Sequence, residues 1–120
     1  MLPSIALKME HTFETDWTKE EFKAYILLYA AKANFFEDEL EREVILSMVN
    51  PSTFKRIHRE INQDNDYQSI QKILFNVKKY HYSPDNIDHL IHDIQKVFDA
   101  SEKEDVFELN LLRGLKKLLK

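Results

Sequence analysis

The stretch YILLYAAKANFFEDELEREVILSMV (residues 25–49) begins as the most apolar part of the sequence and continues as its most acidic. A buried helix running into a charged turn, and out again as an amphipathic helix, accounts for both halves. Residues 22, 25, 26, 29 and 33 fill one stripe of a helix over 19–33. Leu27, Leu28, Ala30 and Ala31 carry the apolar surface most of the way round, so the helix needs neighbours on several sides. The acids at 37–39 suit the start of a second helix through the helix dipole, and Leu40, Val44, Ile45 and Met48 follow at helical spacing. The acidic run 37–43 reads first as a solvated helix start.

Upstream, Trp17-Thr18-Lys19-Glu20-Glu21-Phe22 places Thr18 and Glu21 as a capping box, with Trp17 and Phe22 at the staple positions. Before it, Ile5, Leu7, Met9, His11 and Phe13 alternate with other residues at period two. They suggest an extended arm over 1–17, or a strand pairing residues 5–13 with a second copy in a homodimer. Downstream, Asn50-Pro51 marks the cap and first turn of a third helix with Phe54, Ile57 and Ile61 inward. Asp66 is the candidate cap of a fourth helix burying Ile70, Ile73, Leu74 and Val77. Ser83-Pro84 opens a fifth, with Ile87, Leu90, Ile91, Ile94, Val97 and Phe98 inward, and Ser101 with Glu104 suggests a capping box for a sixth. That last helix contains Gly114, which costs it up to about 1 kcal/mol against Ala unless a neighbour packs close.

One Gly and three Pro in 120 residues, with abundant Leu, Ile, Lys and Glu, agree with an all-α chain. We expect a single-domain bundle of about six to seven helices over 18–120. A formal net charge of -4, from 21 acidic and 17 basic side chains, lacks the basic excess of a nucleic-acid binder. Zero cysteines exclude disulfides and thiolate metal sites and fit a reducing compartment. No apolar run approaches the about 20 residues of a membrane span, and the N-terminus has no leader pattern. The expectation is a cytoplasmic protein.

Two parts of the chain look alike. Ala31-Lys-Ala-Asn34 leads to Glu41 and then Ile45; Lys96-Val-Phe-Asp99 leads to Glu108 and then Leu112. Each is a helix end, an Asn or Asp, an acidic turn, and a Glu one turn before an apolar residue. In this internal pseudo-repeat the chain resembles, over nearly its whole length, the TerB-like tellurite-resistance family, whose helices alternate with paired acidic turns. Phe35 and Ala100 stand where the family has Gly, and Asn34 where it has Asp. The resemblance implies an all-α bundle, no known catalytic activity, and a role in stress response or protein assembly. It also implies candidate divalent-cation ligands at Asn34, Glu41, Asp99 and Glu108.

The function expected is therefore a non-enzymatic protein-interaction or stress-response module with no required cofactor. Its partner surface is acidic: Glu37, Asp38, Glu39, Glu102, Glu104 and Asp105. A divalent-cation sensor using the acidic turns is the first alternative. A small-ligand-binding bundle with a perturbed group near Tyr29, His81 or His92 is the second. Asp85, His89 and His92 share one face of the fifth helix at a spacing that can hold a transition metal. Because that face lies opposite the apolar stripe, we read it first as wet surface. Lys78, Lys79, Tyr80, His81 and Tyr82 mix basic and aromatic groups, and read as a helix end before they read as a base-stacking site. No phosphate loop, nucleophile elbow or His-Glu-x-x-His occurs.

Overall fold

The computed structural model describes residues 13–33, 39–100 and 106–120, the side chains of residues 33 and 106–108 excepted. It is all-helical, with helices α1 (Lys19–Ala33), α2 (Glu39–Met48), α3 (Pro51–Ile61), α4 (Asp66–Lys79), α5 (Pro84–Ala100) and α6 (Val106–Leu119). Among the described residues there is no strand.

Helix α1 is the centre. Its start is set by the expected capping box: Glu21 N–H donates to Thr18 Oγ1 at 3.1 Å and Thr18 N–H donates to Glu21 Oε1 at 2.9 Å. That backbone bond, helped by the Arg56 guanidinium, holds the Glu21 carboxyl below the usual range. All eight residues from Ala24 to Ala31 are buried, and α2, α3, α4 and α5 all pack on the helix. Trp17 and Phe22 are both buried, but Trp17 packs tilted against Tyr25 and Phe22 meets Tyr82 edge-on.

Polar contacts orient the neighbours. Helix α3 runs parallel to α1: Asn50 N–H donates to Glu20 Oε1 at its start and Lys32 Nζ donates to Ile61 O at its end. Asn50 caps α3 by accepting from Ser52 N–H, with Pro51 in the first turn. Helix α4 runs antiparallel to α1, since Tyr29 bonds Asp66 at its start and Tyr80 bonds the Trp17 carbonyl at its end. Its cap is Asn65 rather than the expected Asp66, in a reciprocal box with Gln68. Asp66 is displaced from that role because its carboxylate accepts the Tyr29 hydroxyl.

Helix α4 ends in a Schellman turn. Tyr82 N–H reaches Val77 O, His81 N–H reaches Lys78 O, and His81 takes the left-handed conformation at φ 52°. Ser83 and Asn86 cap α5 reciprocally. Helix α6 returns antiparallel on α5, with Lys120 paired to Asp88 at 2.7 Å.

Two helix faces are rotated from their expected register. In α2, Leu40 is 47% exposed and Glu41 is 1% exposed, so the inner face runs through Glu41 and Ile45, with Val44 and Met48 half-buried against the core and Leu40 turned out. Glu41 thus leaves the solvated acidic run and is buried within the fold. In α4 the buried residues are Ser69, Ile73 and Asn76, while Ile70, Leu74 and Val77 are half-buried. Ile91 of α5 is likewise half-buried.

Candidate functional site

The α1–α4 seam holds two of the four buried polar residues among the described residues, Ser69 and Asn76; Glu41 of α2 and Thr53 of α3 are the others. Ser69 and Asn76 lie on the face that α4 turns inward, and the three residues between α3 and Asn65 bring Asp64 beneath them. Lys72 Nζ donates to both carboxylate oxygens of Asp64, at 3.0 and 2.8 Å, and lies 3.6 Å from Glu60. Tyr25 donates its hydroxyl to Asp64 Oδ2 at 2.7 Å, with Ser69 Oγ 3.0 Å away. The phenol has one proton, so once Asp64 receives it Ser69 is the donor in the second bond. Asp64 is 8% and Lys72 14% exposed along their side chains, so the pair is screened far less than a surface pair. Removing one partner would strand a charge.

Burial first, then Asp64, pushes the Tyr25 phenol well above its ordinary range; burial and Asp66 do the same to Tyr29. Both phenols are held protonated as donors, which makes them unsuited to serve as bases near neutrality. The cluster is a satisfied network tying the 62–65 turn to the centre of α1.

The segment entering α1 closes the seam. Residues 13–18 belong to no helix and follow α4 in its own direction, from Phe13 edge-on to Tyr67 to Trp17 beside Tyr80. Asn76, wholly buried, donates to Thr15 Oγ1 at 2.9 Å and to Lys72 O at 2.8 Å. The ammonium groups of Lys19 and Lys79 lie over the ring of Tyr80, 5.7 and 5.3 Å from its centroid.

The residues singled out in the sequence fall elsewhere. Asn34, Glu37, Asp38, Glu102, Glu104 and Asp105 lie outside the described residues, as do residues 5–12 of the dimer pairing and the Ser101–Glu104 box. Glu108 falls within α6, with its side chain outside what is described. Glu39 is exposed at the start of α2 and Glu41 is buried. Asp99 is exposed and accepts a bond from Gln95 at 2.8 Å. Asp85, His89 and His92 are all exposed on α5. Among the described residues no group of three or more His, Asp or Glu lies together as a metal site. Of the second-alternative residues, Tyr29 is buried against Asp66, while His81 and His92 are exposed.

Comparison with protein-family models, with curated proteins and with solved structures finds no match. Hydropathy alone does not mark the polar seam. Its one local signal is Ser69 and Asn76 at i and i+7 with Ile73 between, polar residues on an otherwise apolar helical stripe.

Proposed function

We propose that this chain is a TerB-like, non-enzymatic protein-interaction module that meets a protein partner through the acidic, partly apolar surface at the start of α2. Leu40 carries the reading. It is 47% exposed and sits beside exposed Glu39, with exposed Arg42 and Glu43 one turn on. An apolar side chain rimmed by charge has the composition of an interface centre and rim. The helix dipole favours acids here, and they favour a partner with a basic rim around an apolar recess. The resemblance to that family, with the reducing-compartment composition, suggests a cytoplasmic role in stress response or protein assembly.

The test uses the full chain as bait in a lysate of the native organism, beside Leu40→Asp and Glu39→Lys/Glu43→Lys variants. Recovery of a specific partner by the parent, lost in both variants, is expected. A partner retained by both variants, or none above background, overturns the proposal.

A second reading, divalent-cation binding at the acidic turns, is favoured by Glu41, the implied ligand that the fold buries to 1% exposure. It predicts a rise in Tm with millimolar Ca²⁺, Mn²⁺ or Zn²⁺ that Glu41→Ala abolishes, because a ion bound to the folded state stabilises it. No rise in the parent chain removes this reading.

A further inference from the structure

The segment before α1 is held as a recognition groove holds a peptide. Phe13, Thr15 and Trp17 are buried or half-buried while Glu14, Asp16 and Thr18 are exposed, the period-two alternation of an extended chain. Among the described residues no strand pairs with it; α4 reads it with side chains. Lys79 Nζ donates to the Thr15 carbonyl at 3.1 Å and the Tyr80 hydroxyl donates to the Trp17 carbonyl. These two contacts take main-chain oxygens of alternate residues and are indifferent to sequence.

Two further contacts are selective. Asn76, wholly buried, meets the Thr15 hydroxyl with both ends of its amide: Nδ2 donates to Oγ1 at 2.9 Å, and Oδ1 lies 3.2 Å from Oγ1. Oδ1 accepts the hydroxyl proton. Valine at this place fits the shape and leaves the amide oxygen without that donor. Trp17, 6% exposed, packs its ring against Tyr25 of α1 with centroids 4.4 Å apart, while Tyr80 at the end of α4 holds its carbonyl.

Main-chain contacts that supply affinity, with pockets for alternate side chains that supply specificity, are the division of labour of extended-peptide recognition. We propose that the α1–α4 groove is a binding site for an extended polypeptide segment of the pattern Thr-x-Trp, occupied in cis by residues 13–17 and open to the same pattern from a partner when the cis copy leaves. This face is distinct from the acidic start of α2, so the inference stands apart from the function proposed above.

A tethered segment competes at an effective concentration on the order of millimolar, so the cis copy must be weakened before a free peptide is seen. Trp17 is the only tryptophan in the chain; the full-length Trp17→Ala variant is therefore free of indole emission. The probe is a synthetic peptide of residues 12–18, TFETDWT, which brings the only indole to the sample. A saturable blue shift of its emission is expected, weakened at least tenfold when the peptide carries Thr15→Val. Emission that stays that of free peptide up to millimolar concentration, over a variant whose circular dichroism remains helical, overturns the proposal, as does equal binding of a scrambled peptide. Should Trp17→Ala fail to fold, full-length Thr15→Val with the dye-labelled peptide, read by anisotropy, decides in the same way. A saturable rise supports the site and a flat titration refutes it.

Discussion

Tyr25→Phe isolates the hydroxyl at the middle of the buried seam. The ring stays, so the tilted ring contact of Trp17 with residue 25 is kept; what goes is one proton donor and one acceptor. Asp64 retains Lys72 at 2.8 and 3.0 Å but loses the 2.7 Å bond from the phenol. A hydrogen bond to a charged acceptor is worth about 1.5–3 kcal/mol. Ser69, 3% exposed, loses its acceptor too, and recovers part of that loss by turning to a carbonyl one turn back in α4. The expected destabilisation is about 2 kcal/mol. With a urea m-value of about 1.5 kcal/mol/M for a domain of this size, the unfolding midpoint falls by about 1.3 M. Emission from Trp17 reports it, because the indole lies directly on the altered ring. The double variant with Asp64→Asn should show coupling on the order of 1–2 kcal/mol. A midpoint shift under about 0.3 M with no coupling would mean that Asp64 and Ser69 are satisfied without the phenol, and would refute this account of the seam.

Other outcomes follow from the same contacts. Tyr25 and Tyr29 stay protonated in the folded chain to a higher pH than in the unfolded one. Their contribution is therefore complete below about pH 10 and falls above it by about 1.4 kcal/mol per pH unit for each phenol. Urea titrations between pH 9 and 11 should show this decline, shallower in Tyr29→Phe; an unchanged slope in that variant would remove Tyr29 from the account. Gly114→Ala should stabilise the chain by about 0.5–1 kcal/mol, because a Cβ there meets nothing within 4 Å; a lowered Tm would contradict the open environment. Asn65→Ala should cost about 1 kcal/mol through loss of the α4 capping box, read in the same unfolding assay. A cost near zero would return the capping role to another residue.

Much of the architecture is local and was legible in the residues. Thr18 with Glu21, Asn50 with Pro51, and Ser83 with Pro84 start helices where expected because a cap is made between residues two or three apart, whatever packs later. The unbroken apolar surface of residues 24–31 marked the central helix, since no single face could bury it. The rotations of α2 and α4 were not legible in the same way. Hydropathy places Leu40 inward and Asn76 outward, and the fold does the reverse with both. Asn76 is buried because Thr15, 61 positions away, supplies its partner. Asp64 is drawn in because Tyr25 and Lys72 converge on it.

The residues by themselves determined an all-helical chain, its helix starts and the identity of its core helix, because caps and periodicity act within one turn of backbone. Only the tertiary structure decided which polar groups go inside. The free energy of burying them depends on partners that distant segments bring, and sequence spacing carries no record of that meeting.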